Sequence, residues 1–542
     1  MRLALGLLVF LGALSVRERA LAEVVELSPG DDVESAINGA QPGDELVLAG
    51  GTYELTDRFG VSVHGTEAAP IIVRAADGET PVLSRAGADQ NVIDVDDGEY
   101  LVFRGLEITG GSHGLRLVSA RFLTVEECEI HDTGDVALSA NSGGQYEALR
   151  ILRNHIHHTN NTGEGMYLGC NENACQMFDS LIEGNYIHHT NGPTVEQGDG
   201  IEIKEGSYNN IVRDNVIHDT NYPCILTYST VGNGAPNVIE RNVMWACGDH
   251  GIQSAADAII RNNVILGSGS NGIAMQSHQS GAPDNLVVVH NTILHATNDA
   301  ISASDITGSV VIANNAVYAQ AGSAIRVSGE LGGLVIAGNV GVGGVEPMSA
   351  GSIVTGSLAS DFVNARFDNS VPNDVFPKAG SALIGAGAAM HVVTDDFNGT
   401  ARDGVADVGA YAFDADGNPG WTLAEAPKGD TSTPPDAGVV AGTGGMGGEG
   451  GDASGAGGEA ASGGVGATAG SSGGEGPDVD AGPTSGNGGA GGAGSSSSDG
   501  GCGCRIAARS TSPATSGALA WTAIALAMLL RVRSRSRRSR GA

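Results

Sequence analysis

Positive charge is scarce in this chain. Its 542 residues carry 28 Lys and Arg against 62 Asp and Glu, and only three are lysines: Lys204, Lys378 and Lys428. The imbalance deepens between the ends. Three Arg lie in the first 22 residues and eight in residues 505–542, leaving 17 basic against 61 acidic residues between Glu23 and Cys504, a net of −44. A surface of that sign repels a bare polyanion, so nucleic-acid binding is excluded, and an acidic polysaccharide requires a local basic site or bridging cations. Aromatics are also few, at 4%, while Gly reaches 85 residues and is concentrated in one stretch, so the foldable part is much shorter than the whole. Residues 431–500 hold 26 Gly, no aromatic and no Lys or Arg. Such a segment buries too little apolar surface to offset its ordering entropy and reads as a linker.

Both ends look like targeting segments. Arg2, the apolar run LALGLLVFLGALSV and Ala20-Leu21-Ala22 before Glu23 form a secretory signal over residues 1–22. The apolar run, about 14 residues, falls short of the roughly 20 that span a bilayer. At the other end Cys502-Gly503-Cys504 precedes an apolar run from Ala514 to Leu530 and then six arginines from Arg531 to Arg540. Arginines beyond such a segment hold its C-terminus in the cytoplasm. This ending resembles the myxobacterial-type C-terminal sorting tail. The resemblance implies export, a processing protease acting near the Cys pair, and retention at the cell surface. A plain tail anchor gives the same membrane topology without processing. The expected organisation is therefore a signal (1–22), a folded body (23–414), a Gly/Ser-rich linker (415–501) and a Cys motif with a transmembrane segment and basic tail (502–542).

Within the body one asparagine recurs. The segments LRILRNHIHHTN, DSLIEGNYIHHTN, NNIVRDNVIHDTN, NVIERNVMWA, AIIRNNVILGS, NLVVVHNTILHAT, SVVIANNAVYAQ and GLVIAGNVGV align on Asn154, Asn185, Asn215, Asn242, Asn263, Asn291, Asn315 and Asn339. Leu106 and Cys128 occupy the same slot in two earlier units. Short strands repeated about every 26 residues cannot bury a face alone and must stack. One coil per repeat, with each strand pairing in parallel with its equivalent in the next, predicts an all-β fold, a right-handed parallel β-helix of about ten or more coils. The stacked asparagines then satisfy one another and the backbone at an inward corner. Leucine-rich repeats share the period, but their LxxLxL frame is absent.

The ladder, the entry segment PGDDVESAINGAQPGDELVLAGGTY, the following PIIVRA and the late KAGSALIGAG and VADVGAY together resemble the pectate-lyase-like β-helix superfamily over roughly residues 24–414. That scaffold carries lyases, hydrolases, epimerases and non-catalytic surface proteins, so the resemblance implies fold more strongly than activity. Val33 and Ile37 suit a short amphipathic helix capping the first coil. An oxidising compartment makes a Cys170–Cys175 loop disulfide expected; Cys224 and Cys247 lie in consecutive coils, where pairing depends on geometry. No CxxC pair or His-x-x-x-His arrangement supports a zinc site in the body, and His157, His158, His188, His189 and His218 read as a column on a turn face.

Chemistry is expected where the coils carry insertions, around residues 160–178, 191–198 and 228–237. These bracket DGIEIK, Asp199 to Lys204. With Ile201 and Ile203 inward, Glu202 and Lys204 point outward. Neighbouring coils stack Tyr167 below and Leu226 and Tyr228 above, followed by Gln253, Gln276 and His278. Asp135, Glu164, Asp199 and His250 form a second, mostly acidic column. Elimination from a uronate polymer needs a base for the proton α to the carboxylate and a cation for the charge that develops. Lys204 is the candidate base, Arg213 a second cationic candidate, and Glu164 and Asp199 the candidate ligands of Ca²⁺. Tyr167, Glu202, Tyr228, Gln253, Gln276 and His250 are the candidate polysaccharide contacts.

Competing readings attach to both cations. Arg213 lies between Glu183 and Glu240 in a charge-alternating column that cross-strand pairing explains. Lys204 is flanked by Glu202 and Glu205, which suits an ion pair. Calcium-dependent relatives with this fold often carry Lys or Arg directly after the first buried strand residue, where this chain has Glu202. The Asp-Asp-Gly-x-Asp motif of some relatives survives only as Glu164-Gly165. The function expected is thus an exported, surface-retained β-helix that binds an acidic polysaccharide, with cleavage by β-elimination resting on this one cluster. The alternative is a non-catalytic surface or adhesion protein.

Overall fold

The computed structural model describes residues 22–429; all but the last residue of the expected signal, the expected linker from residue 430 on and the expected tail lie outside the described residues. No helix among the described residues is long and apolar enough to cross a membrane. The chain winds through about eleven turns of a parallel β-solenoid. In each full turn it passes through three sheets in order. The first sheet, of 13 strands, runs from Val24–Leu27 to Leu334–Ala337; the second, also of 13, from Gly51–Glu54 to Val354–Thr355; the third, of 15, contains Ile201–Ile203. All three are parallel, and crossovers between parallel strands are right-handed.

The inward face is a stack of like residues. In the first sheet Ile182, Val212, Ile239 and Ile260 follow one another in register; in the third, Met166, Ile201, Ile225, Ile252 and Ile273 do so, all without solvent exposure. Each such side chain contributes roughly 1.5–3 kcal/mol of burial, but only in the stack, since no coil covers its own interior. The helix Val33–Gly39 caps the first coil with Val33 and Ile37 buried, and Asp32 caps that helix by accepting from the backbone N–H of Ser35 at 3.0 Å.

The predicted asparagine ladder is continuous from Asn154 to Asn339. Each Nδ2 but the last donates to the Oδ1 of the next asparagine at 2.9–3.0 Å, and every Nδ2 also donates to a main-chain carbonyl. Cys128 continues the column downward, its N–H donating to Asn154 Oδ1 at 3.0 Å. A shorter ladder of Asn210 and Asn237, extended by Ser180, occupies the corner leading into the first sheet and was not visible in the repeat alignment.

Both disulfides form, Cys170–Cys175 within one loop and Cys224–Cys247 between consecutive coils. The folded body extends beyond the expected boundary at residue 414. Residues 357–428 cover the outer face of the second sheet in the later coils, where Trp245, Leu266, Leu294 and Tyr318 meet Phe362, Phe376, Phe397 and Tyr411. Lys428 ends this cover, buried, with Nζ donating to Asp214 Oδ1 at 2.7 Å and to the Phe397 carbonyl at 2.7 Å. A charge with those partners belongs to a packed body, so the boundary lies past Lys428.

Candidate functional site

The strand Ile201–Ile203 lies in the third sheet between Met166–Leu168 and Ile225–Thr227, and its register places Tyr167, Glu202, Leu226 and Gln253 side by side on the outer face. Glycine permits the close approach at the strand starts. A Cβ on Gly165 would lie 2.6 Å from the Gly200 carbonyl oxygen, and one on Gly200 would lie 2.5 Å from that of Cys224. The acidic residues just ahead of these glycines, Glu164 and Asp199, are therefore drawn together from adjacent coils.

The outward direction of Glu202 and Lys204 is as expected, but their exposure is not: they are 1% and 4% accessible. Aromatic neighbours on both sides close over them. Lys204 Nζ sits 4.2 Å from the ring centroid of Tyr228 and 5.0 Å from that of Tyr167. It donates to Glu202 Oε1 at 2.8 Å and to the Tyr228 hydroxyl at 3.1 Å, while that hydroxyl donates to Glu202 Oε1 at 3.0 Å. His278 Nε2 lies 3.1 Å from the same hydroxyl.

On the other side of Glu202 is an electrostatic problem. Oxygens of Glu164, Asp199 and Glu202 lie within 4.8 Å of one another, and all three residues are buried. Both oxygens of Glu164, both of Asp199 and Oε2 of Glu202 have no hydrogen-bond partner. Burial, and then the Glu202 charge, pushes the Glu164 carboxyl up to about 7. Burial together with Glu202 and Glu164 pushes Asp199 well above the usual carboxylate range. Such a cluster must take up protons or a cation. Hard, anionic oxygen donors suit Ca²⁺, and the three residues together fit it. Glu202, expected as a substrate contact, thus joins Glu164 and Asp199 as a third candidate ligand.

Glu205 has a separate task. Its two oxygens accept from the backbone N–H groups of Glu172 at 2.8 Å and Ser280 at 2.9 Å, tying the disulfide loop to the loop that carries His278. These hydrogen bonds hold its carboxyl below the usual range against the opposing effect of burial. The sequence marks Glu205 only as a neighbour of Lys204, because nothing in the repeat announces a contact with Ser280, three coils further along.

Other expected members stand apart. Arg213 is on the first sheet, its Nη2 2.6 Å from Glu183, in a column where Arg104 pairs with Glu126 and Arg261 with Glu240. It does not reach the cluster. Asp135 lies one residue out of register with Glu164 and instead accepts from Thr162 Oγ1 at 2.6 Å. His250 shares the column position of Asp199, but Pro223 intervenes, and its Nδ1 accepts from the Asn271 N–H at 3.1 Å. Gln253 and Gln276 continue the face away from the lysine.

Comparison with known proteins agrees with this architecture. Residues 14–179 match the Pel9A-like right-handed beta helix region, and residues 179–317 match a right-handed beta helix region. The chain is a pectate-lyase-like right-handed parallel β-helix. Among curated proteins it is similar to pectate lyase PEL9 of Emericella nidulans, 26% identical over 194 residues, 33% of this chain. The match spans about two fifths of that protein's length, 40%. Among solved structures, the complex of XylC with xylose superposes with a TM-score of 0.50 at 10% identity, covering 72% of this chain and 98% of that one. Pectate lyase Pel9A superposes with a TM-score of 0.43 at 15% identity, covering 73% and 97%.

Proposed function

We propose that the face around Lys204 binds an acidic polysaccharide and cleaves it by β-elimination. One observation carries this reading: the only lysine in the coil ladder stands between two tyrosine rings, beside three buried carboxylates, five of whose six oxygens lack partners. The similarity to a pectate lyase supports it. Lys204 Nζ would take the proton α to the uronate carboxylate. The electron pair of that C–H bond forms the new double bond, and the β C–O bond breaks with its electrons leaving on the departing sugar. Ca²⁺ held by Glu164, Asp199 and Glu202 would supply positive charge to the substrate carboxylate as negative charge develops there. Tyr167 and Tyr228 present rings to the sugar and fix the position of Nζ. Tyr228, through its hydroxyl, also holds Glu202.

The signal and tail patterns support export and retention at the surface by the C-terminal segment after action of a processing protease, and two disulfides suit an oxidising compartment. The alternative, a non-catalytic adhesion protein, is favoured by a specific feature: Lys204 is almost inaccessible and already paired with Glu202. The deciding experiment incubates the protein with uronate and neutral polysaccharides, with and without Ca²⁺, and follows the ultraviolet absorbance of unsaturated products. Release of such products from a uronate polymer in a Ca²⁺-dependent manner is the expected result. Binding without product on every polymer supports the adhesion reading.

A further inference from the structure

The second sheet carries a different cluster on its outer face. Successive strands Glu129–His131, His155–His157, Tyr186–Thr190 and Val216–Thr220 place His131, His157, His188 and His218 in register, and their rings stack at 5.0–5.1 Å. These histidines lie on strands, where the sequence suggested a turn; only His158 and His189 occupy the left-handed position that follows. The neighbouring outward column holds Glu129 and His155 in register.

We propose that Glu129, His155 and His157 form a site for a divalent first-row transition metal of the zinc class, separate from the carboxylate cluster. Glu129 Oε1 lies 3.0 Å from His157 Nε2 and 3.4 Å from His155 Nδ1, so one oxygen and two imidazole nitrogens from adjacent coils converge on one point. Two imidazoles and a carboxylate leave a fourth position open to water, a donor set that suits zinc and its neighbours rather than Ca²⁺. Glu129 and His155 are 42% and 37% accessible through their side chains, which leaves an entry path.

The ring nitrogens facing away from this point are also provided for. His155 Nε2 is 2.8 Å from His188 Nε2, His188 Nδ1 is 2.6 Å from His189 Nδ1, and His157 Nδ1 is 2.7 Å from His158 Nδ1. A ligating imidazole donates its remaining N–H to an acceptor, which fixes its tautomer. Here His155 Nε2–H would donate to His188, whose Nδ1–H donates to His189, and His157 Nδ1–H would donate to His158. Both relays end on exposed histidines. Every ring can therefore stay neutral while its tautomer switches, leaving His155 Nδ1 and His157 Nε2 as lone pairs aimed at the metal. A bound ion would staple two coils together.

The test uses the full chain without an affinity tag, stripped of metal, with Cys502 and Cys504 alkylated and excess Ca²⁺ present to occupy the oxygen cluster. Zn²⁺ binding is measured by equilibrium dialysis with elemental analysis. One zinc per chain is expected, with a rise in thermal midpoint. His155→Asn with His157→Gln, checked by circular dichroism for an intact fold, should weaken binding at least about 10-fold and abolish the rise. Glu129→Gln, which preserves volume at a half-exposed position, should weaken it as well, whereas Glu164→Gln should leave it unchanged. Absence of zinc from the parent chain, or equal affinity in parent and histidine variants, overturns the proposal.

Discussion

Two buried polar columns run along this solenoid and differ in one respect. In the asparagine ladder each amide but that of Asn339 is satisfied by the next asparagine and by a main-chain carbonyl, and all are buried. In the cluster of Glu164, Asp199 and Glu202, five oxygens are equally buried and satisfied by nothing. The repeat thus has the means to complete hydrogen bonding at a buried corner, and applies it where stability alone is involved. Where it does not, a ligand or proton must complete the site, because an unpaired buried carboxylate costs several kcal/mol.

The contrast can be broken at several points. The largest effect is expected at the site. Lys204→Ala should lower turnover of a uronate polymer roughly 10²–10⁴-fold while leaving affinity within a few-fold, since a proton-transfer group acts mainly in the transition state. Single-turnover kinetics alongside a binding isotherm separates the two, and a parallel loss of affinity with turnover preserved would assign the lysine to binding alone.

In the ladder, Asn215→Leu removes the acceptor of Asn185 N and Nδ2 and the donor to the Ile182 carbonyl and Asn242 Oδ1. A loss of about 3 kcal/mol in chemical denaturation is expected. Ca²⁺ should not offset it, because the ladder lies at a different corner.

The carboxylate cluster predicts the opposite dependence on conditions. The Glu164 carboxyl titrates near 7 in the folded chain against an ordinary 4.5, so between those values the folded state binds more protons than the unfolded. Metal-free protein should then lose stability as pH rises from about 4.5 to about 7. Ca²⁺ should restore it, and Glu164→Gln should flatten the slope and remove the Ca²⁺ response, as read from thermal midpoints across pH. A pH-independent midpoint in the parent would mean that the three carboxylates are relieved in another way.

The smallest effect is expected from Tyr228→Phe. The ring remains, but the hydroxyl contacts to Lys204, Glu202 and His278 are lost. Turnover should fall about tenfold with little change in polysaccharide affinity.

The fold was largely legible from residue spacing. Asn154 through Asn339 mark the coils, and alternation in DGIEIK correctly turns Ile201 and Ile203 inward and Glu202 and Lys204 outward, because side-chain direction in a strand has period two and register propagates from coil to coil. The same logic placed Tyr167 and Tyr228 around Lys204 and opposed the choice of Arg213, whose column of alternating charge is visible in the sequence. Tertiary structure decided what spacing cannot express. Asp135 slipped out of the acidic column because loop lengths before the strand differ between coils. Lys204 became buried because rings from two other coils close over it, Lys428 because a segment far along the chain folds back onto Asp214. Glu129 met His155 and His157 only because adjacent coils stand one strand spacing apart, about 4.8 Å, which brings side chains some 26 residues distant in sequence within reach of one another. Local sequence determines which way a side chain points; which groups share its burial and its charge depends on the coils above and below, and the chemistry of both clusters is set at that level.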